Sequence, residues 1–259
     1  MRRSNGKKGL QLLQQEKGYR SALDPFLLAD FVRLGKGDRA IDLGTGNGII
    51  PILLAARQGE AQLVGLEIQP ELIDLARQNI TLNDLTRERR IQIVEGDIRE
   101  VSSLFSRGSY DVVVGNPPFR KLGDGRLNPD PSKAIARHEL TLTLGELVAG
   151  AEYLLKDKGR FAIIYHPGRL VELLAQMEKL GIRPHRLRLV HSTSQSPAKM
   201  VLLDGIKSGR CPLEVMPPLL IYNQPHEYSP ELERIFSVMS GFSLPSRRGR
   251  IDISSRGED

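Results

Sequence analysis

The sequence predicts a doubly wound α/β fold: a mostly parallel sheet with helices on both faces, an antiparallel edge hairpin and an N-terminal helical extension. Three observations predict it. Between Asp38 and Pro167, apolar strand-like runs alternate with amphipathic helical stretches. The runs are continuously aliphatic, as strands buried on both faces must be. A glycine-rich turn joins the first run to the first helix that follows it, where open α/β sheets bind ligands.

The elements follow in order. Asp24-Pro25 ahead of Phe26-Leu27-Leu28-Ala29 reads as an N-cap, a proline at the first helical position and an apolar face. Arg39 to Leu43, Gln62 to Glu67, Ile91 to Glu95, Tyr110 to Gly115 and Arg160 to Tyr165 read as parallel strands. Pro51 to Gln58, Pro70 to Asn83, Leu142 to Leu155 and Val171 to Leu180 carry apolar residues at three-to-four spacing and read as helices. Arg186 to His191 and Lys199 to Asp204 flank the turn-rich Ser192 to Pro197, which predicts the hairpin. Cys211 to Tyr222 is expected to add short strands, with Pro217-Pro218 a turn, and Ser229-Pro230 to start a helix ending near Gly241. The expected division is a basic N-terminal extension over 1–35, a catalytic domain over 36–208, C-terminal strands and a helix over 209–242, and a disordered tail over 243–259.

Composition narrows the function classes. The 259 residues suffice for one main α/β domain. The single cysteine, Cys211, excludes a disulfide within this sequence and any multi-cysteine zinc site; no metal is expected. The first twenty residues lack an apolar run of signal-peptide length, and nowhere do eighteen apolar residues follow one another, so the cytoplasm is the expected compartment. The net charge of +6 hints at a polyanionic partner. Two segments carry it: residues 1–20 hold six cations against Glu16, and residues 181–210 hold six against Asp204.

Strand one ends in Asp42-Leu43-Gly44-Thr45-Gly46-Asn47-Gly48. Glycines let such a loop turn tightly and approach a ligand where a Cβ would intrude. A dinucleotide fingerprint would need glycine or alanine three places after Gly46, where Ile49 stands. The spacing instead resembles the first motif of class I methyltransferases, which implies S-adenosylmethionine as cofactor, with the loop of Asp42, Gly44, Gly46 and Gly48 under its methionine part. Glu67 closes strand two, where a carboxylate can accept hydrogen bonds from both ribose hydroxyls. The resemblance further implies that Asp97 binds the adenine amino group and that the Ile98 backbone reaches the ring.

Strand four delivers Asn116-Pro117-Pro118-Phe119 to the same edge. An amino group on an aromatic ring is a poor nucleophile, its lone pair being delocalised, so it must be held in line with the sulfonium methyl. The Asn116 side-chain carbonyl and the Pro117 main-chain carbonyl can each accept one N–H, orienting the nitrogen. The prolines fix the backbone, and Phe119 offers a face on which a flipped-out base can stack. Carbon-5 methylation of a pyrimidine would need a cysteine, and Cys211 lies far from this loop. Adenine N6, guanine N2, cytosine N4 and a glutamine amide remain open as acceptors at this stage.

Two flanks narrow the choice: Gly18 to Ala29 and Ala136-Arg137-His138-Glu139. Together with the motifs they look like the bacterial valine-tRNA (adenine-N6)-methyltransferase family, over about Gln14 to Tyr222. The resemblance implies tRNA as partner and methylation of an anticodon-loop adenine; Arg120, Lys121, Arg126, Lys133 and Arg137 beside the site suit phosphates, and His138 suits stacking on a base or accepting a proton, with a structural role as the alternative. The alternatives are rRNA guanine-N2 or translation-factor glutamine-N5 methylation, and, from a different class, an idle cofactor-binding RNA chaperone.

Overall fold

The computed structural model describes residues 10, 12–13, 23–57, 60–83, 85, 90–117, 142–224 and 227–238. Its centre is a sheet that runs β3-β2-β1-β4-β5-β7-β6, built from β1 (Arg39–Leu43), β2 (Gln62–Glu67), β3 (Ile91–Glu95), β4 (Tyr110–Gly115), β5 (Leu155–Tyr165), β6 (Ile182–His191) and β7 (Ala198–Lys207). The first five strands are parallel to one another, and β7 is antiparallel to both β5 and β6. The predicted hairpin is therefore present. Its outer strand β6 is extended by two short parallel strands, β8 (Glu214–Val215) and β9 (Leu219–Leu220), while β10 (Tyr222–Gln224) and β11 (Glu227–Tyr228) pair separately.

Alternate residues of each central strand serve opposite faces. Ala40, Val112, Val114, Ala162 and Ile164 pack in one core with α1 (Asp24–Phe31), α2 (Ile49–Arg57) and the last helix. Ile41, Val113, Phe161 and Ile163 pack in the other, beneath α5 (Leu144–Leu154) and α6 (Leu170–Lys179). Between these, α3 (Pro70–Leu82) follows β2, the single-turn α4 (Val101–Leu104) follows β3, and α7 (Pro230–Val238) closes the described chain.

Several boundaries differ from the sequence expectation. The cap of α1 is Leu23, whose carbonyl accepts the amides of Phe26 and Leu27, and Asp24 is the first helical residue and is buried. Helix α2 begins at Ile49, two residues before Pro51; proline is tolerated there because first-turn amides have no partner within the helix. Helix α5 starts at Leu144, where Thr143 and Glu146 form a reciprocal capping box. Strand β5 begins five residues early, at Leu155, because Leu155 pairs with Tyr110 across a bulge that the polar Lys156-Asp157-Lys158-Gly159 conceals in the sequence. Helix α7 is capped by Ser229, whose hydroxyl accepts the Leu232 amide. Its expected end near Gly241 and the tail from Ser243 lie outside the described residues.

Four of the six cations of the second basic run are paired within the fold. Arg183 pairs with Glu178, Arg188 with Glu231 at 2.7 Å, and Lys207 with Glu152 at 2.8 Å. Arg186 is buried: its guanidinium bonds Asp204 and the Phe31 carbonyl and lies 4.5 Å over the Phe31 ring. Arg186 thus ties α1, β6 and β7 together, and Arg183, Arg188 and Lys207 join the hairpin to α6, α7 and α5.

Candidate active site

Parallel register builds the site. Val94, Leu66, Leu43, Gly115 and Ile163 stand side by side across β3, β2, β1, β4 and β5. One residue further toward the carboxyl edge, Glu67, Gly44 and Asn116 emerge together. Beside them an open cleft of about 350 Å³ is lined by Gly44, Glu67, Ile68, Asp97, Ile98 and Arg99, among others. It stands at the carboxyl end of the strands, the position where open α/β sheets bind ligands.

The loop above β1 is left-handed at three points, with Gly44, Gly46 and Gly48 at φ of 74°, 58° and 78°. Other residues adopt such angles only with strain. At Gly48 a Cβ would also stand 3.1 Å from the Ala76 side chain of α3, so glycine lets the helix press directly on the loop.

The acids of the site differ in their partners. Glu67, 5% exposed, accepts three backbone amides: Gly46 at 2.8 Å, and Ile68 and Gln69 at 3.0 Å each. Two of those donors open the turn into α3 and the third belongs to the glycine loop, so the carboxylate ties the ends of β1 and β2 together. Asp97 accepts the Arg99 amide at 2.8 Å and a side-on bond from the Arg99 guanidinium. That hydrogen bond holds its carboxyl below the usual carboxylate range.

Asp42 is the opposite case. It is 2% exposed, and among the described residues neither carboxylate oxygen has a hydrogen-bond partner. Burial pushes its pKa up to about 7; the nearby Thr45 hydroxyl opposes the rise and the negative charge of Glu67 adds to it. A buried carboxyl with two open acceptors beside a ligand cleft suits a cationic or multiply donating group.

The methyltransferase domain family matches residues 34–204. A tRNA1(Val) (adenine(37)-N6)-methyltransferase of Porphyromonas gingivalis is 33% identical over 200 residues, covering 75% of this chain and 76% of that relative. The chain belongs to this methyltransferase family. A Bacteroides fragilis relative of the same name is 30% identical over 181 residues, covering 70% of this chain and 74% of its own length. A predicted O-methyltransferase of Agrobacterium tumefaciens shares the fold, with a TM-score of 0.68 at 22% identity over 85% of this chain and 98% of the other.

In this methyltransferase, then, the structure brings together Asp42, Gly44, Gly46, Gly48, Glu67, Asp97, Ile98, Asn116 and Pro117 at one edge of the sheet. Pro118, Phe119, Arg120, Lys121, Arg126, Lys133, Arg137 and His138 lie outside the described residues. The sequence reading missed Thr45, Arg99 and Asn79. Asn79 was detectable in principle: on α3 it occupies the buried face of Ile73, Ala76 and Ile80, where the helical period calls for an apolar residue. Among the described residues, no helix is long and apolar enough to cross a membrane.

Proposed function

We propose that the protein transfers the methyl group of S-adenosylmethionine to N6 of an adenine in tRNA, in the anticodon loop of a valine tRNA. The observation that carries the reading is the register that sets Asn116 beside Gly44 and Glu67 at the carboxyl edge of β1, β2 and β4. The activity named for the curated relatives supports the acceptor.

The residues present fit the cofactor. The orphaned oxygens of Asp42 suit an ammonium group, and the glycine loop gives a backbone surface without side chains. Glu67 retains acceptor capacity beyond its three amides, enough for a ribose hydroxyl. Asp97 and the Ile98 backbone serve the adenine. Three N–H groups of Arg99 already bond Asp97, the Nε–H shared between both oxygens, so an adenine amino group competes with Arg99 for this carboxylate.

The bound cofactor supplies an electrophilic methyl on a sulfonium. The protein's part is orientation: the Asn116 side-chain carbonyl and the Pro117 carbonyl accept the two N–H groups of the target and turn its lone pair toward the methyl. Pro118 stiffens the loop, Phe119 stacks the base, His138 stacks a neighbour, and Arg120, Lys121, Arg126, Lys133 and Arg137 hold phosphates. Residues 36–208 form the catalytic domain in this reading, with 1–35 a basic extension, 209–242 a structural closure and 243–259 a polar tail. The test is incubation with labelled S-adenosylmethionine and total tRNA, followed by mapping of modified nucleosides. N6-methyladenosine in valine tRNA is the expected product; label in guanine or only in protein overturns the reading.

A further inference from the structure

The geometry points to Asn79 as a positioning residue that locks the glycine-rich loop to the N-terminal segment, so that cofactor affinity depends on residues outside the cleft. This rests on the cofactor reading above. Asn79 is fully buried on α3. Its Nδ2 donates to the Asn47 carbonyl at 3.0 Å, inside the glycine loop, and to the Leu13 carbonyl at 3.2 Å. Its Oδ1 accepts the Leu13 amide at 2.7 Å. The side-chain amide thus pairs with Leu13 as one strand pairs with another, while its second N–H holds the loop.

The orientation of this amide is fixed by its surroundings. With two carbonyls on one side and an N–H on the other, a flipped side chain would oppose like with like at all three contacts. Nothing else about position 79 requires asparagine, since the face it shares with Ile73, Ala76 and Ile80 is apolar. A polar group is tolerated in such a place only when all its bonds are made, and its loss leaves buried partners unpaired. One turn before it, Ala76 meets Gly48. The loop is therefore seated on α3 at two positions one turn apart, once by close packing and once by hydrogen bonding. Leu10 and Leu12 pack against the core beside the same segment, which anchors the other side of the bridge. Neither Asn79 nor Leu13 lines the cleft.

The test compares three full-length variants with the parent protein, titrating S-adenosylhomocysteine calorimetrically and measuring steady-state methylation of tRNA. Asn79→Ala removes all three bonds. The isosteric Asn79→Asp keeps the acceptor and removes the donors. Leu13→Pro deletes the one backbone N–H that Asn79 accepts, at a residue whose side chain is 43% exposed. Both Asn79 variants are expected to raise the Kd of S-adenosylhomocysteine and the KM of S-adenosylmethionine about tenfold, and Leu13→Pro about threefold, while kcat at saturation changes less than about twofold. Unchanged Kd in folded Asn79→Asp and Leu13→Pro overturns the inference, as does a fall in kcat alone. If the Asn79 variants do not fold, Leu13→Pro decides by the same criterion. Glu67→Ala separates the two readings: if it abolishes binding while the other variants bind normally, only the role of Asn79 falls, whereas undiminished binding in Glu67→Ala overturns the cofactor site itself.

Discussion

Asp42 and Asp204 are equally buried, each 2% exposed, and they are treated in opposite ways. Asp204 accepts the Arg186 amide at 3.1 Å and its guanidinium, with Nε at 2.8 Å. Asp42 has no hydrogen-bond partner within bonding geometry among the described residues, and burial pushes its pKa up to about 7. Burying a charge is costly, so a fold satisfies the polar groups it uses for its own stability. One left unsatisfied beside the glycine loop is reserved for something that binds. Asp204 belongs to the architecture, and the cofactor proposal assigns Asp42 to the ligand.

The largest effect should come from breaking the satisfied partner. Asp204→Ala strands the Arg186 guanidinium in the interior and is expected to cost about 3–5 kcal/mol in urea denaturation. Asp42→Ala should cost far less; equal losses would erase the distinction. On the ligand side, Asn116→Ala is expected to lower kcat about 100-fold with cofactor binding kept, measured by single-turnover methylation alongside calorimetry. Unchanged turnover would remove Asn116 from the reaction.

Asp42→Asn sharpens the comparison through pH. A carboxyl whose pKa is raised in the folded state contributes stability that is complete below its unfolded value near 3.8 and is lost as pH rises to about 7. The difference in unfolding free energy between parent and Asp42→Asn should therefore change across that window and level off above it. A bound cation favours the carboxylate, so cofactor binding near pH 6.5 should release protons in the parent and not in the variant, with affinity about tenfold weaker in the variant at pH 8. Calorimetry in buffers of different ionisation enthalpy reads this directly. The smallest effect is expected at Asp97, where the partner is half-exposed: Arg99→Ala should tighten S-adenosylhomocysteine binding about threefold by freeing acceptor sites. Weaker binding would mean that Arg99 helps hold the ligand instead of competing with it.

Legibility in the sequence followed the range of the interactions. Strands β1 to β4 begin and end where their aliphatic runs do, because neighbouring apolar residues along a short run are a local signal of a strand in a covered sheet. The start of β5 was hidden because its first pairing spans a bulge full of lysine and aspartate. The glycines and acids of the site could be read because each stands within a few residues of a strand end. Asn79 shows in the sequence only as a polar break in an apolar helix face, and what it binds is not legible there, since its two partners lie 66 and 32 residues away along the chain.

The sequence alone determined the doubly wound sheet, the edge that carries the site and the glycine loop with its acids, because periodicity and turn chemistry are local properties of the chain. Only the tertiary structure decided which charges are available. Arg186, Arg188 and Lys207 read as part of a basic face, yet their acidic partners Asp204, Glu231 and Glu152 lie at sequence distances that no local pattern reports. The same folding left Asp42 buried without a hydrogen-bond partner among the described residues. Charge is a property of composition, but whether it is paired depends on what the fold brings within about 4 Å, and that separates a structural carboxylate from one that waits for a ligand.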